Sequence, residues 1–152
     1  MKLLDVIKVM EVAAAQQPAV NMIVRNDVFR LNTYADAQYG VFAWTQGQHQ
    51  QVSEDVIRFS FSLFYVDRLT EDHGNQVEIQ SVGIDVLANV IRTMADAGCF
   101  PGAATYTTFN QRFLDECAGV FAGVTFDVPV DTLCPESFAD FNEDFNDDFL
   151  II

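Results

Sequence analysis

The side chains best suited to acid–base or metal chemistry near neutral pH are His49, in TQGQHQQ, and His73, in EDHGN. Both lie in polar turn contexts, and neither has a second His, Cys or carboxylate at ligand spacing on a predictable element. They read as surface histidines. Asp72 beside His73 suggests part of a catalytic group, yet no Ser or Cys stands in a nucleophile-elbow pattern, and adjacency in sequence does not build a triad. Glycines occur singly, so the chain has no GxGxxG and no phosphate-binding GxxxxGK[ST]. Cys99, Cys117 and Cys134 are odd in number and far from any CxxC pattern, which predicts reduced, mostly buried thiols. Asp140, Asn142 and Asp144 alternate like the start of a calcium loop. Phe145 then occupies the position that needs Gly, and Ile151 the position that needs a bidentate Glu. The expectation is a protein without catalytic residues, metal or cofactor.

The surrounding elements are more legible. Leu3, Ile7, Met10 and Ala14 recur at helical spacing, and Gln16, Gln17 and Pro18 close that helix. VNMIV (20–24), VFRLN (28–32) and YGVFAW (39–44) are short β-prone runs whose separators read as hairpin turns, predicting a small antiparallel sheet. In DVIRFSFSLFYVDRL (55–69), Ile57, Phe59, Phe61, Leu63 and Tyr65 share the core face, while Arg58, Ser60 and Ser62 take the wetter one. TEDHG (70–74) is a turn, and Asn75 with Glu78 has the spacing of a capping box. Ile79, Val82, Val86, Val90, Ile91 and Met94 form the apolar stripe of a covering helix over about 76–97, ended by Gly98. Residues 104–114 and 119–130 read as returning strands; in the second, Val120, Ala122, Val124, Phe126 and Val128 share a face, and Pro129 suits a strand end. The fold class is therefore α+β: an antiparallel sheet with an N-terminal helix and a covering helix, in one domain over 1–130. Residues 131–152 form an acidic C-terminal arm.

A length of 152 residues suits a single core, and 50% hydrophobic residues with 14 Phe argue for folding, although the formal charge is −14. Arg112 is the last basic residue, and ten acids follow it, from Asp115 to Asp148. Such a field repels nucleic acid and anionic membranes, because phosphate binding needs clustered Lys and Arg. The start, MKLLDVIKVMEV, is interrupted by Asp5, Lys8 and Glu11, and no run approaches the roughly 20 apolar residues of a membrane span. The expectation is a chain that stays in the cytoplasm where it is made, with no membrane partner.

The arm FADFNEDFNDDFLII (138–152) places Phe138, Phe141, Phe145 and Phe149 in steps of 3, 4 and 4, one side of a helix, with Asp140, Asp144 and the other acids mostly elsewhere. An amphipathic segment of this kind suits a groove on a neighbouring chain. Burying four Phe contributes about 6–12 kcal/mol gross, before ordering and association costs. The acids steer it toward a basic partner. Packing of the stripe on its own domain and a solvated tail are the competing readings.

The order of opening helix, β-meander, long strand, covering helix and returning strands resembles phage tail-terminator and head-to-tail joining proteins. More specifically, FSLFYVDRLTEDHGNQVEIQSVGIDVLANVIR (61–92) resembles a block in neck or ring proteins of crAss-like phages of gut Bacteroidales. The likeness lies in Tyr65-Val66-Asp67-Arg68-Leu69, Asn75, Ile79-Gln80-Ser81, Gly83 and Asn89-Val90-Ile91-Arg92. It implies a virion structural protein, a homo-oligomeric ring of six or twelve copies in the neck or tail. Its neighbours would be portal, adaptor or tail ring proteins, and DNA would pass through its channel without specific binding. It implies no catalysis and no cofactor. Asp67 and Arg68 point to opposite strand faces, so each pairs elsewhere, locally or across subunits. Two other classes stay open: an acidic monomeric module that mimics nucleic acid and inhibits a basic host protein, and a small enzyme whose residues meet only in three dimensions.

Overall fold

The structure is a computed structural model and describes residues 1–28, 38–112, 116–130 and 150–151. Its elements run α1 (Leu3–Ala15), β1 (Met22–Arg25), β2 (Val41–Gln46), β3 (Gln50–Ser53), β4 (Val56–Arg68), α2 (Gln76–Asp96), β5 (Phe100–Pro101), β6 (Thr105–Arg112), β7 (Cys117–Pro129) and β8 (Leu150–Ile151). The centre is the antiparallel pair β4 and β7, in unbroken register from Val56 opposite Pro129 to Arg68 opposite Cys117. β3 and then β2 line the free side of β4, while β5 and β6 line the free side of β7. β1 lies outside β2, and β8 lies outside β1.

The α+β class, the opening helix and the covering helix agree with the sequence reading. The hairpin reading of residues 20–44 needs correction: β1 runs parallel to β2, Met22 opposite Val41 through Arg25 opposite Trp44. Alternation and turn residues do not encode strand direction, and the roughly 15 residues between these strands are enough for a crossover. The run at 28–32 lies outside the described residues beyond Val28. β3 was not anticipated, because its four residues are all exposed and carry no alternation; cross-strand pairing with β4 makes it a strand.

Both helices cover one face of the sheet. Phe59, Phe61, Leu63 and Tyr65 of β4 and Val120, Ala122, Val124 and Phe126 of β7 are buried there, against Val6, Met10 and Ala13 of α1 and Val86, Leu87, Val90 and Met94 of α2. Full burial of each larger side chain contributes about 1.5–3 kcal/mol before entropy is charged. α2 ends as expected at Gly98, whose φ of 94° suits glycine. The Cys99 N–H donates to the Met94 carbonyl and the Gly98 N–H to that of Ala95, completing a Schellman turn. The start of α2 differs from the reading: Asn75 makes no side-chain cap and instead ties down the preceding turn. At the start of α1 the Lys2 N–H donates to Asp5 Oδ2 at 2.9 Å.

The opposite face carries a second apolar cluster: Met22, Val24, Val41, Ala43, Val66, Phe109 and Cys117, with Tyr39, Phe64 and Phe121 only partly buried. Phe121 packs on Phe64 and stacks on Phe109, with centroids 5.5 and 6.5 Å apart. Toward the other end of β4 this face turns polar, and Arg58 grips Asp127 through bonds of 2.7 and 3.0 Å.

Candidate functional site

Alternation along β4 sends Tyr65 and Asp67 to the helix side at the strand's end, and the turn into α2 brings Asn75 and Glu78 back over them. The segment before β1 and the residues before β2 supply Asn21 and Tyr39. These six residues line a cleft of about 390 Å³. Six of its lining residues, Tyr65, Asp67, Asn75, Glu78, Ile79 and Val82, fall within residues 61–92.

Several bonds hold the walls. The Asn75 amide donates to the Arg68 carbonyl at 3.2 Å and accepts from the Thr70 N–H at 2.9 Å. Asp72 Oδ1 accepts from the Thr70 hydroxyl and the Gly74 N–H. Asn21 donates to the Tyr39 carbonyl at 2.8 Å. Gly83 of α2 lets the helix close on the sheet, since a Cβ there would come within 2.5 Å of Val120 Cγ1 and 2.9 Å of the Tyr65 ring.

Asp67 Oδ1 accepts the Arg68 N–H at 2.7 Å, and the Tyr65 hydroxyl lies 3.5 Å from both Asp67 Oδ2 and the Ala19 carbonyl. Burial pushes the Asp67 carboxyl above its ordinary range, against the opposing pull of those two donors. Burial, and then the Asp67 charge, push the Tyr65 phenol up as well. The Asn21 and Asn75 amide donors are engaged within the walls, and two carboxylates stand in the lining, so the cleft offers chiefly acceptors. Among the described residues its lining contains no Ser, Thr, Cys, His, Lys or Arg.

A carboxyl whose folded pKa is raised binds more protons in the folded than in the unfolded state. Its contribution is therefore lost as pH rises from the unfolded value through the folded one. Asp67→Asn keeps the acceptor for both donors and removes this loss. Urea unfolding of the variant should show a gain over the parent that grows from pH 4 to pH 8, reaching about 1 kcal/mol or less, the scale of one polar contact. A gain independent of pH would mean that Asp67 is not the titrating group.

The histidines flagged by the sequence lie elsewhere. His49 Nε2 is 3.0 Å from Gln46 Oε1, its Nδ1 accepts the Ser60 N–H, and its ring meets Phe59 edge-on. His73 faces Glu116 at 3.3 Å across the turn. Among the described residues no group of three or more His, Cys, Asp or Glu could hold a metal ion. Cys99 and Cys117 are buried, and burial pushes the Cys99 thiol up to about 11. Arg68 lies over the Tyr39 ring, 5.8 Å from its centroid, on the face opposite Asp67. Cys134 and the arm residues Phe138, Asp140, Phe141, Asp144, Phe145 and Phe149 lie outside the described residues.

Reasoning from sequence placed the cleft's β4 and α2 residues on their strand, turn and helix without bringing them together as a site, and missed Asn21 and Tyr39. Nothing in the local pattern of those two marks them, because only the chain crossing brings them to Tyr65. Among the described residues no helix is long and apolar enough to cross a membrane. No protein-family model matches this chain, and no curated protein matches it.

Proposed function

We propose that the protein is a ring-forming structural subunit of a phage neck or tail, joining portal or adaptor to tail around the DNA channel. The observation that carries this reading is a sheet apolar on both faces. The helices cover one face, and the other retains the partly buried aromatic set Tyr39, Phe64 and Phe121 over a second hydrophobic cluster. Met22, Val24, Val41, Ala43, Val66 and Cys117 are fully buried there, so the surface left for packing between subunits is the open rim of those three aromatic side chains. The net charge of −14 fits a channel wall along which DNA slides without adhering. The same charge is the only support for the alternative, an acidic monomer that occupies a basic partner's nucleic-acid site.

Light scattering over a concentration series, on the full chain and on residues 1–135, tests the proposal. A subunit of 17.0 kDa gives rings of about 100 or 200 kDa for six or twelve copies. The expected result is such a species for the full chain and folded monomers for the truncation, with circular dichroism unchanged apart from the lost residues. A full chain that stays monomeric throughout would count against the ring. Unfolding of the truncation would make the Phe stripe part of the core.

A further inference from the structure

The cleft at the end of β4 holds oxygens without donors to match. Tyr65 is 2% exposed, yet among the described residues its hydroxyl has no partner nearer than 3.5 Å, the distance to both Asp67 Oδ2 and the Ala19 carbonyl. Hydroxyl hydrogen bonds are ordinarily about 2.7–2.8 Å long, so one proton shared between two such distant oxygens satisfies neither well. Asp67 is served on one side alone. Its Oδ1 accepts the Arg68 N–H at 2.7 Å, while Oδ2 meets the phenol at that long distance. The Arg68 guanidinium itself lies over the Tyr39 ring, on the opposite face. A half-buried carboxylate oxygen left this way favours a charged donor from outside.

The surroundings narrow the kind of donor. Asp67 Oδ2, the Tyr65 hydroxyl and the Ala19 carbonyl converge on one region, and an ammonium carries three donors around one nitrogen. A guanidinium is a flat fork that binds best to both oxygens of a carboxylate, and Oδ1 is already engaged by the Arg68 N–H. Among the described residues no group of His, Cys, Asp or Glu could hold a bare metal ion. Ile79 and Val82 add apolar wall to a cleft of about 390 Å³, within the roughly 300–1,000 Å³ of small-molecule sites. Glu78, in the first turn of α2, adds a second carboxylate and offsets the positive end of that helix.

We propose that this cleft binds an alkylammonium group, with the nitrogen at the Asp67, Tyr65 and Ala19 oxygens and the alkyl stem against Ile79 and Val82. The site does not depend on the ring reading. Its ligand is either a free primary amine or a lysine side chain presented by another protein, since both offer the same head and stem.

Titrations of the ¹⁵N-labelled full chain with butylammonium, butylguanidinium and 1-butanol, at neutral pH and constant ionic strength, test the proposal. Butylammonium should give saturable shifts in the millimolar range, confined to the backbone amides of Gly40, Arg68 and Ile79 and the side-chain amides of Asn21 and Asn75. Butylguanidinium should bind about fivefold more weakly, and butanol should give no saturable shift. Asp67→Asn and Tyr65→Phe should each weaken butylammonium about tenfold while the spectrum keeps its dispersion. Asp85→Asn, which removes an exposed carboxylate of α2 outside the lining, should leave affinity unchanged. Equal losses in D67N and D85N, or shifts spread over the acidic surface, would reduce the effect to diffuse attraction and overturn the site. So would the absence of saturable shifts. Butylguanidinium binding as tightly as butylammonium would overturn the ammonium assignment. A capped tripeptide with lysine at its centre separates the two sources: tighter binding than butylammonium assigns the site to a protein's lysine, weaker binding to a free amine.

Discussion

Gly119→Val is expected to cost more than about 3 kcal/mol and to leave little folded protein at 37 °C. Gly119 is buried in β7, opposite Val66 of β4 and Phe109 of β6. A Cβ there would run into the Tyr65 carbonyl oxygen and come within 2.9 Å of the Phe109 ring. A flexible side chain could retreat from such a contact; a carbonyl inside the β4–β7 ladder moves only if the ladder opens. Even alanine therefore collides, and urea midpoints should fall in the order glycine, alanine, valine. If valine is tolerated within 1 kcal/mol of the parent on urea unfolding, the two central strands are not held as tightly as described.

Arg25→Met is expected to be the second large loss, about 3 kcal/mol near pH 7, and to fade in acid. Glu11 is a charged side chain buried within α1, 3% exposed, and Arg25 at the end of β1 reaches both its oxygens, at 2.8 and 3.0 Å. Burial pushes the Glu11 carboxyl up more than Arg25 pulls it down. With a folded pKa above the unfolded one, Glu11 weakens the fold as pH rises from the unfolded value through the folded one. Removing the guanidinium raises that folded value further, so the variant should nearly match the parent where Glu11 is protonated and diverge as pH climbs. Pairing R25M with Glu11→Met replaces both charges by apolar groups and should recover most of the loss. Denaturant unfolding of the parent and both variants at pH 4, 5, 6 and 7.5 would decide it. A deficit that does not vary with pH would assign the loss to packing of the arginine stem.

The parts legible in the sequence are those whose partners are interchangeable. Strict alternation in 55–69 and 119–130 predicts two half-buried strands whatever lies beside them, and the stripe from Ile79 to Met94 predicts a covering helix, because a sheet face and a helix stripe need only some apolar surface to meet. Strand direction is different. β1 and β2 carry the composition of a hairpin and are parallel, since direction depends on the path between them. Asn75 and Glu78 have capping-box spacing, yet the Asn75 side chain finds the Arg68 carbonyl and the Thr70 N–H instead, a choice set by the turn before it. The cleft was legible only in part: its acid and phenol lie two residues apart in β4, but Asn21 and Tyr39 come from segments whose meeting with β4 no local pattern announces. The ring and the aromatic arm rest on stripe and resemblance, and the arm residues 131–149 lie outside the described structure.

The register of the central strands also has a consequence for synthesis. Every β4 residue from Val56 to Arg68 is paired with a β7 residue about 50 to 70 positions later. On the ribosome, β4 therefore emerges long before its partner exists, with Phe59, Phe61, Leu63 and Tyr65 already on one face. α1 has already emerged and α2 follows directly, so the two helices are available to cover that face before Cys117–Pro129 has emerged. Slow passage through residues 97–116 would lengthen the interval in which the β4 edge is open to the same edge of another nascent copy. Chains made side by side on one message thus meet each other first as unpaired strands, and only later as finished domains.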